Sequence, residues 1–213
     1  MKKIILSVLM VSITTAVVQA QEDTVNERVG MQIGVKAGAN YSNIYDAQGE
    51  EFTADPKLGL AIGAYLGIPL GEYLGIQPEV LFSQKGFKGT GTLLGSTYNM
   101  TRTSNFIDVP LFLALKPIGM VTILAGPQFS FLMSQKDTFS NSSITIDQEK
   151  EFDNENVRKN IMCFVGGIDI NLKHIVLGAR AGWDFQTNNG DGTSSTPRYK
   201  NSWVQATIGY RLY

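Results

Sequence analysis

The sequence predicts an all-β chain, an eight-stranded antiparallel transmembrane β-barrel with four long outer loops and three short periplasmic turns. Three observations carry the prediction. Eight segments alternate apolar and non-apolar residues with period two, as half-buried strands do. The connections between them alternate long and short, the pattern of a barrel with open loops at one end and tight turns at the other. Along all eight segments one face is nearly free of charge. The other is mostly Gly, Ala and Ser with a few ionised groups, which suits the narrow interior of eight strands.

The chain of 213 residues opens with Lys2 and Lys3, then an apolar run from Ile4 to Val18 and "VQA" before Gln21. This is the order of a secretory signal peptide, so residues 1–20 are excluded from the fold, 21–29 read as a short periplasmic tail, and 30–213 as the barrel domain. No later run reaches the roughly 20 apolar residues of a spanning helix.

The first strand sets Met31, Ile33, Val35, Ala37, Ala39 and Tyr41 against Gln32, Gly34, Lys36, Gly38, Asn40 and Ser42. The second sets Leu58, Leu60, Ile62, Ala64, Leu66 and Ile68 against Gly59, Ala61, Gly63, Tyr65 and Gly67. "GIQPEVLFSQKG", 75–86, puts Ile76, Pro78, Val80 and Phe82 on one face and Gln77, Glu79, Ser83 and Lys85 on the other. The fourth runs through Ile107–Leu115, the fifth through Val121–Phe131, the sixth through Met162–Leu172, the seventh through Ile175–Phe185 and the eighth through Val204–Leu212. The long connections are 45–56, 87–103, 135–158 and 187–201; the short ones are "LGEY", "KPIG" and "KH". Tyr41, Phe82, Phe129, Phe131, Trp183 and Phe185 gather on the apolar face toward the long-loop ends, with Tyr210 near the opposite rim, the distribution of an interfacial girdle.

On this reading the ionised strand residues enter the lumen: Lys36, Lys85, Arg180 and Arg211 against Glu79, Asp108, Asp169 and Asp184. Buried charges are costly unless paired, so balanced signs are what a filled lumen requires. With residues 173–174 as the turn, Asp169 stands diagonal to Arg180. Lys36 reaches Glu79 across the second strand, where Gly59, Ala61 and Gly63 leave room. Pro78, Pro110 and Pro127 each lack a ladder donor and are expected at bulges or strand ends, since a closed barrel has no edge.

Little in the chain suggests catalysis. The only His, His174, falls in a tight turn without Ser or acid beside it, and the only Cys, Cys163, reads as a small interior filler; no disulfide within the chain is available. "TNNGDGTSS", 187–195, lacks the spacing of a calcium loop. No catalytic residue, metal or cofactor is therefore expected. The formal charge of −1 argues against a nucleic-acid partner. The mixed acids and bases of 146–160, which overlap the 135–158 connection, are the candidate contact for an extracellular protein.

"GVKAGANYSNI", "GAYLGIPLGEYLGIQPEVLFSQKG", "FIDVPLFLALKP" and "LAGPQFSFL" occur in an order that resembles the PorT-like outer-membrane β-barrel proteins of Bacteroidetes-type bacteria, over residues 30–185. The matching positions include Pro78, Glu79, Lys85, Gly86, Pro110, Gly126 and Pro127. The resemblance implies a Gram-negative outer-membrane location, outer-membrane lipid as surroundings, and prolines tolerated within the barrel. It also implies handling by the barrel-assembly machinery, for which "IGYRLY" is the candidate signal. A structural or interaction role is the leading reading; one member of that family is associated with protein secretion, which makes accessory participation in secretion the specific form to test. A narrow pore for small solutes and a soluble periplasmic barrel holding an apolar ligand stay open beside it.

Overall fold

The computed structural model describes residues 29–46, 54–93, 96–140, 145–150, 159–187 and 199–212. The signal segment 1–20, nearly all of the 21–29 tail and most of 187–195 lie outside them. The strands are β1 (Gln32–Asp46), β2 (Ala54–Pro69), β3 (Leu74–Leu93), β4 (Ser96–Ile118), β5 (Val121–Ser140), β6 (Thr145–Lys150), β7 (Asn160–Leu172), β8 (Ile175–Asp184) and β9 (Tyr199–Arg211). Eight of them close an antiparallel ring in the order β1-β2-β3-β4-β5-β7-β8-β9, because β9 pairs with β1 and β4 with β5. β6 pairs with the outer end of β5 and stands outside the ring.

Ring closure follows from a steady stagger. The registers, carried at constant offset across two gaps in the β4–β5 and β2–β3 ladders, lead from Ser42 to Trp203, Gly182, Val165 and Gly126, and on through Phe112, Gln77 and Gly67 to Gln32, so the path returns to β1 ten residues lower, from 42 to 32. Such a stagger requires strands tilted well away from the barrel axis, roughly 35–45°. Side chains then alternate in and out. Glu79 is 2 % exposed and its neighbour Val80 54 %. The apolar face is the outer one: Val35, Leu60, Ile62, Leu113, Ile168 and Ile208 are all exposed, as a lipid-facing band demands. Tyr41, Phe129, Phe131, Trp183 and Phe185 are exposed toward one rim, Tyr210 toward the other.

The three prolines sit inside strands, contrary to the expectation of bulges or strand ends. The β2–β3 ladder skips from Tyr65↔Glu79 to Ile68↔Ile76 at Pro78. The β3–β4 ladder skips from Pro78↔Leu111 to Leu81↔Asp108 at Pro110, and the β4–β5 ladder from Pro110↔Gln128 to Leu113↔Ala125 at Pro127. Each proline still pairs on its other side (Pro78 with Leu111, Pro110 with Gln128, Pro127 with Phe164), and the register is the same before and after each gap. A missing N–H removes bonding to one neighbour only, and in a closed ring the other neighbour holds the strand in place.

A true irregularity lies between Pro56 and Ala61 of β2, where the register against β3 shifts. β1 compensates with side chains. The Asn40 amide donates to Ser83 Oγ at 2.9 Å and to the Gln84 carbonyl at 3.1 Å. The Ser42 hydroxyl accepts from Gly86 N at 2.9 Å and lies 2.9 Å from the Gly86 carbonyl, to which it can donate. Backbone polar groups that β2 leaves open are thus met from one strand further away. Ser42→Ala is expected to lower stability by about 1–3 kcal/mol, the cost of orphaning a buried backbone group. Urea unfolding in lipid vesicles measures it, and an unchanged midpoint would show that water replaces the hydroxyl.

Two of the long connections contain strand. β3 runs on to Leu93 and β4 starts at Ser96, within the 87–103 stretch; β5 runs to Ser140 and pairs with β6, within 135–158. These segments are rich in Thr, Gly and Lys and carry no continuous apolar face, so hydrophobic alternation does not mark them.

Candidate functional site

Among the described residues, the lumen gathers the buried charges of the strands. Lys36, Glu79, Lys85, Asp108, Asp169, Arg180, Asp184 and Arg211 are all buried, none more than 7 % exposed. Toward the periplasmic end, Glu79 Oε1 accepts from Lys36 Nζ at 2.7 Å, Gln77 Nε2 at 2.8 Å and Arg180 Nη2 at 3.1 Å. Arg180 Nη2 also reaches both oxygens of Asp169, at 3.0 and 3.1 Å. Asp169 stands opposite Gly178 in the β7–β8 ladder, and Lys36 opposite Gly63 in the β1–β2 ladder. Glycine at those positions leaves the space through which the charged chains meet.

Higher up, Lys85 Nζ lies 2.9 Å from Asp108 Oδ2 and donates to Ser130 Oγ at 3.4 Å. Its ammonium stands 3.9 Å from the Trp203 ring centroid and 5.0 Å from that of Phe106. The Arg180 guanidinium lies over Phe112 and the Lys36 ammonium over Tyr65 in the same manner. Each of these cations is held between a carboxylate and a ring, which restores some of the interaction lost with water. The remaining two named groups are held differently. Asp184 accepts from Asn201 Nδ2 at 2.6 Å and Asn201 N at 3.1 Å, and Arg211 Nη2 donates to Asn171 Oδ1 at 2.9 Å.

Sequence reasoning missed a third level at the outer mouth. Arg102 on β4 donates to both oxygens of Asp137 on β5, at 2.7 and 2.6 Å, and to the Tyr199 hydroxyl of β9 at 2.6 Å. Phe87 packs edge-on against Tyr199 at 5.5 Å. Burial works against the Arg102 charge, yet its hydrogen bonds to Asp137 keep its pKa above the ordinary arginine value; burial likewise pushes the Tyr199 hydroxyl up. Arg102 continues the inward phase of β4. Asp137 is one residue out of phase with Ser130, because β5 carries an irregularity opposite Asn105 and Phe106.

Two of these contacts cross the whole ring. β3 and β8 stand on opposite sides of it, as do β4 and β9, so Glu79–Arg180 and Arg102–Tyr199 span the lumen like struts. Leu81, Phe112, Leu124 and Val165, all at most 3 % exposed, fill space between the polar groups. Cys163 lies in the same interior, completely buried, with its sulfur 3.7 Å from Ser130 Oγ. His174 is outside the site: it is exposed at the β7–β8 turn and stacks on Tyr210 at 5.7 Å.

A family model described as "Outer membrane protein beta-barrel domain" matches residues 19–202. No curated protein matches the chain. Among solved structures, the attachment invasion locus protein Ail of Yersinia pestis aligns at 11 % identity and a TM-score of 0.48, covering 85 % of this chain and 98 % of that one. OprG of Pseudomonas aeruginosa aligns at 13 % identity and 0.44, covering 87 % and 97 %. Neisserial surface protein A aligns at 9 % identity and 0.44, covering 85 % and 98 %.

Proposed function

Because the chain belongs to the family of outer membrane protein β-barrel domains and resides in the outer membrane of a Gram-negative bacterium, we propose that it is a sealed barrel that works as a scaffold rather than as a pore. In this reading Lys36, Glu79, Lys85, Asp108, Asp169, Arg180, Asp184 and Arg211 are a structural charge network that fills the lumen. The observation that supports it is the pair of struts, Glu79–Arg180 and Arg102–Tyr199, each joining opposite walls at a different height. A solute following the axis would have to break both, giving up in each a charge-assisted hydrogen bond inside the lumen. With the lumen closed, what remains for contact is the outside: the lipid-facing band and the extracellular hairpins. An accessory place in protein secretion, with a secretion-system or other extracellular protein meeting residues 135–158, is the specific form of this reading. Handling by the barrel-assembly machinery during biogenesis belongs to it as well.

Cys163 supplies the test without engineering, being the single cysteine of the chain. A small, charged, water-soluble thiol reagent is expected to leave the folded barrel unmodified and to react only after unfolding. Planar bilayers containing the purified chain are expected to stay silent. Prompt labelling of the folded barrel together with steady single-channel conductance would replace the scaffold with a pore. Photo-crosslinkers placed at 136 and 148 in living cells then identify what the β5–β6 hairpin touches; recovery of no secretion component would remove the secretion role.

A further inference from the structure

The outer face of the barrel changes character abruptly above the aromatic rim on one side. Phe82, Ile107 and Phe131 lie on one row across β3, β4 and β5 and, with the exposed Met133 just above them at the β5 irregularity, end the apolar band there. The next outward row is Gln84, Asn105 and Ser134, and it is a hydrogen-bonded ladder: Gln84 Nε2 donates to Asn105 Oδ1 at 3.0 Å, and Asn105 Nδ2 to Ser134 Oγ at 2.8 Å. Thr103 and Lys136 follow on the row above, then Lys88, Thr101 and Thr138. Lys88 and Lys136 are exposed. Between positions 84 and 90 of β3, 99 and 105 of β4, and 134 and 140 of β5, the outward face holds amides, hydroxyls and these two lysines, and no carboxylate. Asp55 stands across from Lys88 in the β2–β3 ladder, and Lys136 pairs in register with position 149 of β6.

We propose that this outward face of β3–β4–β5 is a docking surface for the phosphorylated saccharide headgroup of an outer-leaflet glycolipid. The argument is continuity and chemistry. A lipid whose acyl chains lie along Phe82, Ile107 and Phe131 presents its headgroup at the level of the next rows, because the band and the polar face share the same strands and the same side of the sheet. Amide and hydroxyl groups fixed by bonds to one another still offer their remaining donors and acceptors to sugar hydroxyls. Lysine ammonium groups suit phosphate as point charges. Among the described residues these strands also rise furthest above the aromatic rim, as a wall standing in the headgroup layer and not as a loop over the mouth. The inward side of the same wall is already committed, through Arg102, Asp137 and Tyr199, to the lumen. This inference needs the membrane location but not the sealed lumen, so conductance by the barrel would leave it intact.

The test uses the full folded chain in phosphatidylcholine vesicles, alone or mixed with a bisphosphorylated glucosamine-disaccharide glycolipid or with phosphatidylglycerol. Lipid retained through purification is counted by mass spectrometry. Wild type is expected to retain the glycolipid in preference to phosphatidylglycerol, and the pair Lys88→Glu with Lys136→Glu to lower retention by about tenfold or more, given roughly 1 kcal/mol per basic residue near a charged lipid surface. Asn105→Ala, which breaks the ladder without touching charge, is expected to weaken retention of the dephosphorylated glycolipid as well. Equal retention of the two anionic lipids by wild type, or unchanged glycolipid retention in the folded charge-reversed pair, would overturn the proposal. Folding of each variant is verified by its gel mobility without boiling.

Discussion

Glu79→Ala is expected to cost about 3–5 kcal/mol of folding stability, the largest effect of any single change considered for this barrel. Glu79 is the point on which Lys36, Gln77 and Arg180 converge, all through Oε1. Its removal leaves the Lys36 ammonium, itself 4 % exposed, with no carboxylate beside it in the interior. The Arg180 guanidinium retains Asp169. The loss therefore comes mainly from an uncompensated lysine and not from the strength of the original pair, which in a low-dielectric interior largely offsets its own desolvation. That distinction yields a sharper expectation: adding Lys36→Met to Glu79→Met should recover more than half of the loss, although the double variant has no ion pair between β1 and β3. Urea unfolding followed by tryptophan fluorescence measures both, Trp203 lying against Lys85 within the lumen. If the single and double variants are equally unstable, the charges hold the barrel by direct attraction. If neither differs from wild type, the lumen is wet.

Gly86→Ala is expected to cost about 3 kcal/mol, with two physical causes that act together. Gly86 has a φ of 155°, a conformation that side chains resist. A methyl group added there would also run into the backbone carbonyl of Arg102 on β4. Relief requires moving β3 away from β4 at the level where Ser42 already spans from β1 to Gly86. The variant should show a lowered unfolding midpoint and a smaller folded fraction on an unboiled gel. Gly71, in the β2–β3 turn with open space around it, is the control: Gly71→Ala should stay within about 0.5 kcal/mol of wild type. Equal effects at the two glycines would mean that the strain at Gly86 is absent in the membrane.

The lumen residues were legible because a strand in a membrane barrel has two unambiguous faces. Glu79 and Val80 are neighbours in sequence and opposites in environment, and period-two alternation is enough to separate them. The pairing of Lys36 with Glu79 could be anticipated too, since a glycine-lined strand lay between them. Arg102, Asp137 and Tyr199 were not legible. They lie where strands leave the bilayer and both faces become polar, so alternation no longer marks the strand. The irregularity in β5 shifts Asp137 out of the phase that Ser130 sets. The prolines went astray for a related reason. A donor-less residue is a local property, whereas its tolerance depends on whether the second neighbouring strand holds its place, and that is a property of the closed ring.

Composition and alternation alone determined that this chain makes a β-barrel with its oily face outward and its charges inward, because a hydrocarbon surround accepts no other arrangement of these side chains. Which charge meets which was decided only by the tertiary structure. The stagger of ten residues around the ring brings β3 opposite β8 and β4 opposite β9, and distance across a closed cylinder is not written in any local stretch of sequence.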